Sequence, residues 1–143
     1  MGSATVTWVQ SLQFVGTDST KHSVVVSAPD EANGVGMKPS ELLLVSLAAC
    51  TAYDVANILQ KKRKRISQLR VEVEGEQQNT APWPFTRIHL HYVIAGDGLS
   101  ERDVAQAIHL SHEKYCSVSA TLRPSVTLTH DYEIMGETGA GDS

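Results

Sequence analysis

The stretch ELLLVSLAACTAYDVANILQKKRKR, Glu41 to Arg65, constrains this chain more than any other part of it. Read as a helix, it carries Leu42, Leu43, Leu44, Val45, Leu47, Ala48, Ala49, Ala52, Val55, Ala56, Ile58 and Leu59. These point in nearly every direction around the axis, and a helix that is apolar all round must be surrounded by protein. One small sheet covers only one side, so a second copy of the chain is the expected source of the remaining cover. Pro39-Ser40-Glu41 opens the helix, with proline where its missing N–H does no harm and an acid near the positive end of the dipole. Lys61 to Arg65 are consecutive cations, and the helix is expected to end near Arg63 or Arg65, where positive charge relieves its exposed carbonyls. The run Leu42 to Ala49, broken by Ser46, is too short to span a bilayer.

The chain of 143 residues has the length of one domain, 1–143, with an ordered core expected over 4–134 and a mobile tail over 135–143. Its formal charge of −4 offers no general attraction to nucleic acid or to an anionic membrane. The N-terminus lacks the charged and apolar regions of a signal peptide, so a cytoplasmic protein is expected.

Around the helix the pattern is mostly that of strands. Thr5 to Val15 alternates in part and predicts one strand with a bulge at Gln10; HSVVVSA predicts its hairpin partner. PDEANGVGMKP reads as a surface loop. QLRVEVEGEQ and FTRIHLHYVIAG alternate as half-exposed antiparallel strands, and SERDVAQAIHLSHEKY predicts a second helix with Ser100 as N-cap and Asp103 in the capping-box position. CSVSATLRP reads as a small-residue connection to a last strand, SVTLTHDYEI. Strands, long helix, strand pair, helix and strand make an α+β chain.

The chemistry-bearing feature is the cysteine pair. Burial makes a thiol inert unless a cation or hydrogen-bond donor favours its thiolate, and Asp54, one turn after Cys50 on roughly the same side, works against that thiolate. Taken alone, Cys50 reads by default as a small packing residue. Cys116 follows a helix directly and sits in Tyr-Cys-Ser-Val-Ser, where exposed N–H groups can favour a thiolate. One reactive and one resolving thiol are the minimum for a peroxide-reducing cycle through sulfenic acid and disulfide.

The blocks PSELLLVSLAACTAYDV and HEKYCSVSATL, in this order, resemble the OsmC/Ohr family of thiol-dependent hydroperoxide reductases, in particular its OsmC-like branch, over about Phe14 to Ile134. The resemblance implies an OsmC-like fold, with antiparallel or mixed sheets around a long buried central helix, assembled as an intertwined homodimer. It implies Cys50 as the attacking cysteine, Cys116 as the resolving one, organic hydroperoxides as substrates, a dithiol such as dihydrolipoamide as reductant, and no cofactor or metal. The best-known members carry glutamate where Ser40 stands here; the acid comes one residue later, as Glu41. The arginine expected near the first hairpin is absent, and Lys21, His22 or Arg87 is the candidate activating cation. Nine helical positions separate Glu41 from Cys50, which sets them on opposite sides and about 13 Å apart along one helix. Two helices crossing antiparallel near Val45 and Ser46 would bring Glu41 of one copy to Cys50 of the other.

Two other readings stand beside this one. The same fold without turnover would serve as a thiol redox sensor or small-ligand binding protein. His109, His112 and Cys116, spaced H-x2-H-x3-C, would line one side of a continuous helix as a zinc site.

Overall fold

In the computed structural model, which describes residues 2–136, the chain forms two compact units, Met1–Leu43 and Leu44–Ser143. The first unit is an antiparallel meander of β1 (Ala4–Gln10), β2 (Gln13–Asp18) and β3 (Ser23–Ser27) in the order β1-β2-β3. The single strand expected over Thr5–Val15 is therefore two. The chain reverses at Ser11, whose φ of 47° lies in the left-handed region, and the Trp8 indole N–H holds the turn by donating to the Ser11 carbonyl at 2.8 Å. The expected irregularity at Gln10 is there: the β1–β2 register shifts between Trp8 and Gln10. In the loop after β3, the Asp30 carboxylate accepts from the Asn33 backbone and side-chain N–H groups, and the Asn33 side-chain oxygen accepts from the Leu12 N–H at 3.2 Å.

Helix α1 spans Pro39–Lys61, starting where the proline predicts and stopping short of Arg63, which adopts a left-handed φ of 62° before β4 (Arg65–Gln77) begins. β5 (Phe85–Asp97) pairs antiparallel with β4 and parallel with β6 (Thr127–Met135), in the order β4-β5-β6. A parallel pair needs a crossover. It is supplied by α2 (Glu101–Leu110), a π turn over Ser111–Tyr115, and α3 (Ser117–Leu122). Ser100 caps α2, its hydroxyl accepting from the Asp103 N–H at 3.1 Å as expected. α3 replaces the expected irregular connection, and β6 takes in Met135 from the expected tail; residues 137–143 of that tail lie outside the described residues.

The core of the second unit joins one stripe of α1, Leu47, Val55 and Leu59, to Ile88, Leu90, Tyr92 and Ile94 of β5 and to Val104, Ala107 and Ile108 of α2. Burying each large aliphatic side chain stabilises the fold by about 1.5–3 kcal/mol. Although the run Leu42 to Ala49 is short, the 23 residues of α1 as a whole meet the length and composition of a membrane span. Its packed stripe makes it the core helix of this unit. Within one copy only Leu47, Thr51, Val55 and Leu59 are buried, while Val45 and Tyr53 remain 45% and 72% exposed.

Candidate functional site

Buried positions on α1 recur every fourth residue, so Thr51 faces the core while Cys50 sits beside it, half-buried. Asp54 follows one turn later. Cys116, itself part of the buried core, comes from the junction of the π turn and α3. The π turn ends there in an extended residue, φ −81° and ψ 107°, whose N–H donates to the Ser111 carbonyl at 2.7 Å. Its Sγ accepts from the Ser119 N–H at 3.4 Å and so caps α3. Cys50 Sγ, Cys116 Sγ and a carboxylate oxygen of Asp54 all lie within 4.8 Å of one another.

A chain of buried hydrogen bonds closes around this trio. Ser111 Oγ donates to Asp54 Oδ2 at 2.9 Å and lies 2.8 Å from Thr51 Oγ1. Thr51 Oγ1 is 2.7 Å from the Tyr92 hydroxyl, which is 2.7 Å from His112 Nε2; His112 Nδ1 is 2.9 Å from Ser119 Oγ. A hydroxyl has one proton. The Ser111 hydroxyl proton is therefore shared between Thr51 Oγ1 and Asp54 Oδ2, and of the two His112 ring nitrogens one donates and the other accepts. Every member is then satisfied by a neutral His112.

The local electrostatics agree. Burial pushes the His112 imidazole down to about 4, helped by the nearby His130 and Arg123. Burial also raises the Tyr92 phenol, against the pull of the Thr51 hydroxyl. The Cys116 thiol is raised by burial first and by the neighbouring Cys50 second, while the Ser119 hydroxyl and N–H oppose the rise. The network ends at Asp54 and Ser119, both beside the sulfurs, and thereby fixes α1, the π turn and α3 to one another.

The remaining candidates have partners of their own. Glu41, in the first turn of α1, pairs with Lys38 at 3.2 Å. Lys21 occupies the β2–β3 turn with a φ of 72°, its N–H donating to the Asp18 carbonyl. His22 follows, its backbone N–H on the Asp18 carboxylate and its ring Nδ1 2.8 Å from Thr20 Oγ1. All three belong to the first unit. Arg87 is exposed on β5 between Glu76 and Thr127, and strand alternation groups it with His89 and His91, on the face opposite Ile88, Leu90 and Tyr92. It is not brought to the thiols.

The H-x2-H-x3-C reading fails on geometry: the helix does not continue to Cys116, His109 is exposed, and both ring nitrogens of His112 are engaged by Tyr92 and Ser119. Sequence reasoning did not single out Thr51, Tyr92, Ser111, His112 or Ser119 as a network. One signal was there for Ser111: it continues the i, i+3, i+4, i+7 stripe of Val104, Ala107 and Ile108.

A family model described as OsmC-like protein matches residues 30–131. Protein YhfA of Escherichia coli is 36% identical over 132 residues, 92% of this chain and 97% of its own length. A crystal structure of a hypothetical protein from Aquifex aeolicus is 30% identical with a TM-score of 0.86, covering 96% of this chain and 98% of that one. The fold is also that of an organic hydroperoxide resistance protein OsmC, described as a predicted redox protein, from Legionella pneumophila: TM-score 0.69, 17% identity, covering 93% and 96% of the two chains.

Proposed function

Starting from a chain that belongs to the OsmC-like family, we propose that it is a thiol-dependent peroxidase that reduces organic hydroperoxides through Cys50 and Cys116. The observation that carries this reading is the meeting of two sulfurs, sixty-six positions apart in sequence, within 4.8 Å. Cys50, half-buried, is the thiol open to a substrate; Cys116, 2% exposed, is the one held in reserve. The Cys50 thiolate attacks the terminal peroxide oxygen, the O–O bond breaks, and the alkoxide leaves as alcohol after taking a proton. Cys116 then attacks the sulfenic sulfur, the S–O bond breaks, water leaves, and a disulfide forms. An external dithiol such as dihydrolipoamide returns both thiols by exchange. Closure needs the sulfurs to approach from their present separation to about 2.05 Å.

The working form in this reading is a cytoplasmic homodimer. A second copy crossing α1 near Val45 would cover the sides that one chain leaves open and carry Glu41 to the other copy's Cys50. A monomer in sedimentation would remove that part. Turnover is tested by hydroperoxide consumption with dihydrolipoamide and, separately, dithiothreitol. Multiple turnovers that vanish in Cys50→Ser support the enzyme.

One observation favours a sensor instead: the charged group placed with the two thiols is Asp54, an acid that opposes thiolate formation. One oxidation per chain without turnover would select that reading.

A further inference from the structure

Asp54 is unexplained by peroxide chemistry. A carboxylate beside a sulfur that must ionise repels the charge the reaction needs. It is nevertheless held in place, since Ser111 donates to its Oδ2 at 2.9 Å, and Ser111 is itself fully buried. The arrangement has a different use for a cation. We propose that, in the reduced protein, Cys50 Sγ, Cys116 Sγ and one Asp54 carboxylate oxygen bind a thiophilic divalent ion of the zinc type, with a fourth position open to water.

The donor set is of the right chemistry: two thiolates and a carboxylate select zinc-like ions over magnesium or calcium. Three protein ligands and one open position is a familiar tetrahedral layout. The spacing is close to what is needed. Zinc–sulfur bonds of about 2.3 Å at a tetrahedral angle set two sulfurs about 3.8 Å apart, and the three donor atoms already lie within 4.8 Å of one another. Neighbours are placed as outer partners should be, with Ser111 orienting the carboxylate and the Ser119 N–H donating to Cys116 Sγ. Half-buried Cys50 provides the entry side. Each ligating thiol gives up its proton to solvent, and the two sulfurs thereby held cannot also form a disulfide. Ion binding and oxidation are mutually exclusive states of one site.

The test uses metal-free protein reduced with a phosphine, so that no added thiol competes. Zn²⁺ calorimetry is expected to show one ion per chain, and Co²⁺ is expected to give sulfur-to-metal charge-transfer bands. Cys116→Ser and Asp54→Asn should each weaken binding about tenfold or more, and Ser111→Ala by a similar or smaller factor. Wild-type protein alkylated at its thiols, which needs no mutation, should bind none. Absence of the charge-transfer bands, or equal binding by alkylated and free protein, would overturn the site and leave only an adventitious surface ion. No peroxide enters this experiment, so a protein that binds the ion yet never turns over hydroperoxide would keep this site and lose the peroxidase reading.

Discussion

On the outer face of the β5–β6 pair, His91 bonds Asp131 at 2.7 Å and Glu133 at 3.1 Å, and His89 bonds the same Asp131 at 3.0 Å. Inside, His112 bonds Tyr92 and Ser119 at nearly the same distances. Both imidazoles have oxygen partners on each nitrogen, yet they shift in opposite directions. The Asp131 and Glu133 carboxylates raise His91, whereas burial lowers His112 to about 4. What decides is the charge of the partners and access to water, since hydrogen bonds are present in both. The outer ladder can gain or lose a proton cheaply; the inner chain keeps its imidazole neutral.

The sharpest way to break this contrast is acid. His112 has a folded value below its ordinary 6.5. Its neutral form therefore costs nothing above that value, and stability is lost as pH falls toward 4, by on the order of 3 kcal/mol across the window. His91 acts oppositely: its contribution is present below the ordinary histidine value and fades as pH rises through its raised folded value. Denaturant unfolding between pH 7 and 4 should show wild type losing stability, with the slope reduced in His112→Asn. An unchanged slope would mean that His112 is not the buried neutral group.

A smaller effect isolates the network. Tyr92→Phe removes the hydroxyl shared by Thr51 and His112 and should cost about 1–3 kcal/mol, because two buried polar groups lose their partner. A change under half a kcal/mol would show that water replaces it. Smallest of all, Asp131→Asn on the exposed ladder should leave stability at neutral pH nearly unchanged, because water screens its ion pairs. A loss as large as that of Tyr92→Phe would erase the distinction between the two regions.

The same division runs through what sequence could reveal. Local signals were legible: Pro39 starts α1, Ser100 caps α2, and the alternation of β4 and β5 stands in the residues themselves. The split of β1 from β2 was hidden because its turn, at Ser11–Leu12, contains no glycine, proline or asparagine. α3 was hidden because its N-cap is a cysteine and four of its six residues, Ser117, Val118, Ser119 and Thr121, have low intrinsic preference for helix. In the site, Asp54 could be placed near Cys50 by helix periodicity alone. Thr51 with Tyr92, forty-one positions apart, and Ser111 with Asp54, fifty-seven apart, could not, since only the packing of α1 against β5 and the π turn brings them together.

The most direct test of the thiol chemistry is to add one equivalent of an organic hydroperoxide to reduced protein and map its peptides without reduction. A Cys50–Cys116 disulfide within single chains, formed in step with peroxide loss, is the predicted result. Cys50 advanced to sulfinic acid with Cys116 untouched, or both thiols reduced and the hydroperoxide intact, would contradict it.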